Sequence, residues 1–298
     1  MMKILITGGT GLLGNSLMRF ASQKHEIVGT YLNDKVEFGD YDLREMDITD
    51  RNKIIELVKE IAPEIVIHTA AFTNVDACEI EKETAYNVNV LGVQNVAFAC
   101  KEAKCRMIYI STDYVFDGEK GNYVETDKPN PVNYYAETKL LGEQMVKGSL
   151  PEKQFAIARI NLYGWNVLPK NDLVTWIIDK NKKKEEITAF TDWINSPFLA
   201  DNCAEALVEM AKKGLFGIYH LVGDEAINRH DFALRVAEIF DLDTKFIKSG
   251  TSEQLNLQAK RPKDISLCID VAKKDLDTKL LNVEEGLKKM KEIGAGLE

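Results

Sequence analysis

Three glycines follow a short apolar segment near the start of the chain. Lys3 to Ile6 predicts a buried strand, and Gly8, Gly11 and Gly14 come directly after it. The first glycine permits a tight turn, the second lets backbone N–H groups approach a pyrophosphate, and the third lets helix and strand pack closely. A helix that begins at this turn places its N-terminus at the phosphates. The expected cofactor contacts here are Gly8, Gly11, Leu12, Leu13 and Gly14.

Strand-like and helical patterns alternate over the first part of the chain. Such an alternation predicts an α/β fold, a doubly wound parallel sheet of the Rossmann type. After Leu173 the elements become smaller and mixed, which predicts a smaller C-terminal lobe over the cleft. We therefore expect a dinucleotide-binding domain over residues 1–165 and a substrate-binding lobe over residues 166–298, intertwined and with an approximate boundary.

Charge and composition exclude several classes of protein. The net charge of −9 argues against a nucleic-acid partner, because phosphate binding needs clustered cations, and the one basic run covers only residues 180–184. No secretory signal is visible, and no run reaches the length of a membrane span, so we expect a cytoplasmic protein without a membrane partner. The five cysteines are scattered and the four histidines have no metal-ligand spacing, which predicts neither a disulfide framework nor a metal site.

A strand that ends in hydroxyl groups precedes a tyrosine and a lysine at helical spacing. The apolar run 107–110 leads into Ser111, Thr112 and Asp113, and a helical pattern begins at Tyr135. Tyr135 and Lys139 are four residues apart, so a helix stacks them on one face, where the ammonium can lower the pKa of the phenol from about 10. This pair predicts a proton donor that works near neutral pH.

With the glycine turn, these residues resemble the extended short-chain dehydrogenase/reductase superfamily. The resemblance becomes narrower over residues 111–118 and 135–143, which are similar to the dTDP-4-dehydrorhamnose reductase branch. It implies that Tyr135 is the acid, that Lys139 holds the nicotinamide ribose and tunes Tyr135, and that Thr112 hydrogen-bonds the substrate carbonyl, with Ser111 and Asp113 beside it. The implied reaction is NAD(P)H-dependent reduction at C4 of a nucleotide-linked 4-keto-6-deoxysugar.

The remaining cofactor contacts come from strand ends. An acid at the end of the second strand would favour NAD, but this chain has Tyr31 there, followed by Asn33, Asp34 and Lys35. The cofactor is therefore NADP or NAD, and the missing carboxylate favours NADPH. The resemblance further implies that Asp47 and Ile48 meet the adenine, although Thr49 or Asp50 can instead cap the next helix. Residues expected beside the nicotinamide ribose are Ala70, Ala71 and Phe72.

Two substrate positions leave alternatives open. The reductases usually carry a tryptophan where this chain has Asn161, and an asparagine there resembles the epimerases and dehydratases of the superfamily. Arg261 could pair with a diphosphate or lie in an ordinary surface loop. The alternative functions are a nucleotide-sugar epimerase or dehydratase with tightly bound NAD, and a non-catalytic dinucleotide-binding regulatory subunit. Asn89 is expected to brace the sheet, and family members often form homodimers.

Overall fold

The computed structural model describes residues 1–33, 39–168, 172–254 and 257–295. The strands in chain order are β1 (Lys3–Thr7), β2 (Glu26–Tyr31), β3 (Asp42–Glu45), β4 (Ile65–His68), β5 (Arg106–Thr112), β6 (Phe155–Ile160), β7 (Leu162–Tyr163), β8 (Ile187–Phe190), β9 (Ile194–Asn195), β10 (Phe198–Leu199), β11 (Gly217–His220), β12 (Ile227–Asn228) and β13 (Ile247–Gly250). Continuous runs of buried side chains form the central strands β1, β4, β5 and β6, because helices cover both faces of a parallel sheet.

Several helices begin where a side chain accepts a hydrogen bond from a free backbone N–H group. Asp50 accepts from Lys53 N at 3.1 Å, and Asn133 accepts from Ala136 N at 2.9 Å. The α-helices are α1 (Leu12–Ala21), α2 (Arg51–Ile61), α3 (Val75–Ile80), α4 (Lys82–Tyr86), α5 (Val93–Ala103), α6 (Tyr134–Ser149), α7 (Leu173–Lys182), α8 (Ala200–Lys213), α9 (Arg229–Ile239), α10 (Asp270–Asp275) and α11 (Val283–Ala295). A π-helical segment covers Asn87–Gly92, and 3₁₀ turns cover Asp113–Val115, Glu152–Gln154, Thr244–Phe246 and Ser252–Gln254.

A seven-stranded parallel sheet in the order β11-β6-β5-β4-β1-β2-β3 forms the centre of the described chain. The order reverses between β1 and β4, which is where doubly wound sheets bind their ligands. Ile4 and Ile6 pack in the core with α1 and α8, whereas Leu5 packs on the other face with α2 and α5. The predicted Rossmann-type α/β fold is confirmed.

The C-terminal elements build a second core. Its buried members include Tyr163, Ile177, Phe232 and Leu287, which come from β7, α7, α9 and α11. Two elements from the C-terminal half belong instead to the N-terminal fold, since β11 pairs with β6 of the central sheet and α8 packs on α1. The two predicted regions, residues 1–165 and residues 166–298, are therefore intertwined. The boundary between them near residue 165 stays a prediction.

One predicted helix is interrupted. The sequence predicts a long helical region over Glu79 to Ala103, whereas the structure has there the end of α3, then α4, the π-helical segment and α5. A π-helical turn adds a residue per turn and therefore rotates the following helix relative to the preceding one. Within the described ranges, no helix combines the length and the apolar character needed to cross a lipid bilayer.

Candidate active site

The predicted site residues collect at the carboxyl edge of the central sheet. Thr7 pairs with His68 in the register between β1 and β4, so the glycine turn and the segment after β4 open on the same side. Strand β5 lies next to β4 and ends at Thr112, three residues beyond the partner of His68. Helix α6 crosses this edge and carries Tyr135 and Lys139.

The glycine turn has the shape that a pyrophosphate requires. Gly8 has a φ of +74°, and a Cβ there would lie 2.9 Å from the backbone nitrogen of Ala70. A Cβ on Gly14 would lie 2.0 Å from the carbonyl oxygen of Gly8. Helix α1 begins at Leu12, and a Cβ on Gly11 would meet only the Gly8 carbonyl oxygen, at 3.3 Å. The turn therefore leaves an open approach to a helix N-terminus, and these residues fit a dinucleotide.

Asp47 and Asp50 have separate roles beside β2. The Asp47 carboxylate accepts from the backbone nitrogen and the hydroxyl of Thr49, both at 2.8 Å, while Asp50 caps α2. Ile48 is buried, and Tyr31 ends β2 with its carbonyl oxygen 2.8 Å from Met46 N. The helix cap and an adenine contact are thus compatible, and the contact stays a prediction. Asp34 and Lys35 lie outside the described residues.

Asn89 connects the segment after β4 to the active-site helix. Its carboxamide accepts from Phe72 N at 2.9 Å and donates to Phe72 O at 3.0 Å, and the same nitrogen lies 3.1 Å from the Thr138 hydroxyl. Ala70 and Ala71, just before this clamp, are partly buried. The arrangement agrees with the bracing role expected for Asn89 and fixes the wall on which the ribose is expected to lie.

The Tyr135 phenol lies beside the strand-end alcohol. Its ring packs edge-on against Tyr114, with centroids 6.1 Å apart. Burial raises the pKa of Tyr135 well above its usual value, the hydrogen bond to Thr112 lowers it, and the neighbouring Asp113 raises it. The convergence of Tyr135 and Thr112 expected from the sequence is present in the structure.

Lys139 is buried beneath this pair. Its ammonium donates to the carbonyl oxygen of Ile110 at 2.7 Å and lies 4.4 Å from the centre of the Tyr109 ring. Burial lowers the pKa of Lys139 to about 7, and the charge of Glu143 raises it. Burial of the phenol dominates the pKa of Tyr135 and raises it. The tuning of this phenol by Lys139 stays a prediction.

Asp113 and Asn161, both expected to face the substrate, are joined by a hydrogen bond. The Asn161 amide donates to one carboxylate oxygen at 2.6 Å, and the Thr112 hydroxyl donates to the other at 3.1 Å. Burial raises the pKa of Asp113 to about 7, while these two bonds and the charge of Arg229 lower it. A carboxyl group with this pKa can exchange a proton near neutral pH.

Ser111 and Arg261 have partners that the sequence did not reveal. Ser111 donates to the Glu143 carboxylate at 2.7 Å, so its hydroxyl belongs to a buried network. Arg261 forms an ion pair with Asp76 at 2.8 Å, and its charge lowers the pKa of Tyr114. Their roles toward a substrate stay predictions.

Sequence reasoning missed Arg229. It hydrogen-bonds Tyr114 and lies near Asp113, and its Nε is buried without a hydrogen-bond partner in the described part of the chain. It begins α9, where a cation opposes the helix dipole. That unfavourable position is the signal that could have identified Arg229.

The glycine turn, the Tyr–Lys helix and the strand-end alcohols, on this sheet, define the extended short-chain dehydrogenase/reductase class. A family model described as the RmlD substrate binding domain matches residues 2–294. The chain belongs to this family, the dTDP-4-dehydrorhamnose reductase-like branch of that class.

Individual relatives cover almost the whole chain. A probable low-salt glycan biosynthesis reductase, Agl14, from Haloferax volcanii is 33% identical over 91% of this chain and 90% of its own length. The methionine adenosyltransferase 2 subunit beta of Rattus norvegicus is 28% identical over 89% of this chain and 80% of its own length. The crystal structure of dTDP-4-dehydrorhamnose reductase from Bacillus anthracis in complex with NADP has a TM-score of 0.88, at 29% identity, covering 98% of this chain and 99% of that one.

Proposed function

We propose that this chain is an NADPH- or NADH-dependent reductase of a nucleotide-linked 4-keto-6-deoxysugar. The observation that carries the proposal is the hydrogen bond between Tyr135 and Thr112, with Lys139 one turn along α6, at the sheet edge that also holds the glycine turn. Tyr135, Lys139 and Thr112 would be catalytic. The NADP complex of the Bacillus anthracis reductase supports a nicotinamide dinucleotide as the cofactor.

The chain would bind and orient the cofactor through backbone and ribose contacts. The pyrophosphate would lie at the first turn of α1, and Lys139 would donate to the nicotinamide ribose from beneath Tyr135. When bound, the reduced nicotinamide would supply a hydride to the sugar carbonyl. Ala70, Ala71 and Phe72 would form the wall along the ribose.

Proton transfer falls to the residues at the end of β5. Tyr135 would donate its phenolic proton to the oxygen that becomes the alcohol, and Thr112 would hydrogen-bond the same oxygen as its charge develops. The raised pKa of Tyr135 keeps the phenol protonated before the reaction. Buried side chains around it limit access of water.

The substrate would lie over Asp113 and Asn161, toward the C-terminal lobe. Arg229 and Arg261 both lower the pKa of Tyr114, so two guanidinium groups lie near one phenol at this side of the site. A nucleoside diphosphate is a suitable anion for such a pair. Its nucleotide-linked sugar would then reach Thr112 and Tyr135.

A direct assay tests the proposal. The purified chain is mixed with NADPH or NADH and a panel of nucleotide 4-keto-6-deoxysugars, and cofactor oxidation is followed by absorbance with product analysis. We expect stoichiometric oxidation of the cofactor and formation of the reduced sugar. Cofactor binding without turnover of any sugar would contradict the proposal.

The Asp113–Asn161 pair favours a second candidate. A carboxyl group with a pKa of about 7 beside Thr112 could serve as an acid or base in an epimerase or dehydratase that returns the hydride. Sugar isomerisation or loss of water without net cofactor consumption would identify it. Binding without any sugar chemistry would instead point to a regulatory subunit, the type of protein that the name of the rat relative indicates for that relative.

The sequence also predicts a homodimer. Light scattering of the purified chain would test this prediction.

A further inference from the structure

A buried ion pair joins Glu143 of α6, the helix that carries Tyr135 and Lys139, to Arg159 of β6. The Glu143 and Arg159 side chains are 0% and 1% exposed. Both carboxylate oxygens accept from the guanidinium, from Nε and from Nη2, each at 2.9 Å. Ser111 donates to the same carboxylate at 2.7 Å. The pair thus joins α6 to the ends of β5 and β6.

Glu143 lies one helical turn after Lys139. Residues four apart on a helix share a face, so the carboxylate and the ammonium are neighbours within α6. A buried ammonium loses its hydration and favours the neutral form unless an anion is near. The charge of Glu143 is the contribution that raises the pKa of Lys139 against burial.

The other groups that face Lys139 carry no negative charge near neutral pH. Tyr109 of β5 presents its ring, and burial raises the pKa of its hydroxyl. His68 of β4 is neutral, because burial and the charge of Lys139 lower its pKa to about 3. Tyr135, one turn earlier on α6, has a raised pKa.

Arg159 keeps Glu143 ionised. Burial alone would raise the pKa of Glu143, but the hydrogen bonds from Arg159 and Ser111 and the charge of Arg159 hold it below its usual value. Lys147, whose side chain is 42% exposed, lies 3.9 Å from the carboxylate. His220 lies 3.3 Å from Arg159 and is neutral, because burial and the charge of Arg159 lower its pKa to about 4.

We propose that Glu143, held in place by Arg159, is a positioning residue that favours the ammonium form of Lys139 for its contact with the cofactor ribose. The inference rests on the proposed function only in taking Lys139 as a cofactor ligand, and it does not depend on the identity of the sugar. An ammonium donates stronger hydrogen bonds to ribose hydroxyls than a neutral amine does. Cofactor affinity should therefore fall as pH rises through the pKa of Lys139.

The test is the pH dependence of NADPH binding, measured by fluorescence without a sugar. The double variant Glu143→Gln/Arg159→Gln removes both charges of the ion pair, so neither of its two members is left behind as an unpaired buried ion. We expect the midpoint at which affinity falls to move down by about one pH unit relative to the unmodified chain. Titration of the cofactor phosphate is common to all variants and cancels in the comparison.

Lys147→Gln is the matched control, because it removes an exposed charge that also lies near Glu143. Its midpoint should remain within about 0.3 pH unit of that of the unmodified chain, since exposed charges are screened. If the double variant does not fold, Glu143→Asp serves as the second variant. Its shorter side chain keeps the negative charge but moves it away from Lys139, so we expect a smaller downward shift of the midpoint. A folded variant at Glu143 with an unshifted midpoint overturns the proposal. If the midpoint shifts as expected but the unmodified chain turns over no nucleotide sugar, only the reductase assignment is contradicted.

Discussion

The two sides of the cleft are built by different means. The cofactor side is shaped by backbone, with Gly8 and Gly14 so close to neighbouring main chain that neither has room for a Cβ. The side proposed for the substrate is shaped by side chains from separate elements, namely Asp113 after β5, Asn161 after β6 and Arg229 on α9. A site made of close backbone contacts tolerates no added atoms. A site made of side chains can change its ligand one residue at a time.

Tyr135, where the two sides meet, should have the largest effect. Removing its hydroxyl in Tyr135→Phe should lower kcat about 10²–10⁴-fold, because a general acid is lost, while the Kd for NADPH stays within about twofold. Turnover and fluorescence binding check the two quantities. Tyr134→Phe is the control with near-normal turnover, since Tyr134 stacks with the Lys82 ammonium outside the site. Equal losses in both variants would remove Tyr135 from the mechanism.

On the cofactor side, adding a single Cβ atom to a glycine should have a large effect, because the neighbouring backbone leaves no space for it. Gly14→Ala should lower the free energy of unfolding by about 1–3 kcal/mol and weaken NADPH binding, because its Cβ would lie 2.0 Å from the Gly8 carbonyl oxygen. Gly148→Ala, with nothing within 4 Å of the new Cβ, should stabilise α6 by about 0.5–1 kcal/mol. Denaturant unfolding measures both. A Gly14→Ala variant as stable as the unmodified chain would contradict the backbone argument.

On the substrate side, a single cation should affect only the sugar nucleotide. Arg261→Gln should raise KM for the nucleotide sugar about tenfold and leave the Kd for NADPH unchanged, because one charged contact to an anion is lost. Lys263→Gln, an exposed cation two residues along the same loop, should leave KM unchanged. Steady-state kinetics test both. A matching rise for Lys263→Gln would indicate a diffuse charge effect instead of a contact.

The smallest expected effect is that of Asn161→Ala on the pKa of Asp113. Asn161→Ala removes a hydrogen bond to the carboxylate, so the pKa of Asp113 should rise from about 7 by less than about one unit. The native state binds this proton more tightly than the unfolded chain does, so stability should fall as pH rises from about 4 to 7. Asp113→Asn should flatten that fall, which unfolding curves across this range would reveal. A slope unchanged in Asp113→Asn would exclude Asp113 as its source.

Local patterns predicted the fold closely. The sequence predicts strands over Glu26–Tyr31 and Ile187–Phe190 and a helix over Arg51–Ile61, and β2, β8 and α2 have these bounds, because each is a short apolar or periodic run. The interruption of the helix before Ala103 was missed, since a π-helical turn changes the period over only a few residues. The short strands β7, β9, β10 and β12 were missed as well. At two residues each, they carry no periodicity of their own.

The sequence by itself determined the dinucleotide turn, the doubly wound sheet and the placement of Tyr135 and Lys139 on one helix, because each follows from spacing along a strand or a helix. The meeting of Tyr135 with Thr112 was expected only from the family resemblance, because the two residues lie on different elements. Only the tertiary structure decided the protonation of the site. The pKa values of Tyr135, Lys139 and Asp113 depend first on burial, and burial is set by elements distant in the chain. The partners Arg159 and Arg229 likewise reach the site from other elements, so no local pattern identified them.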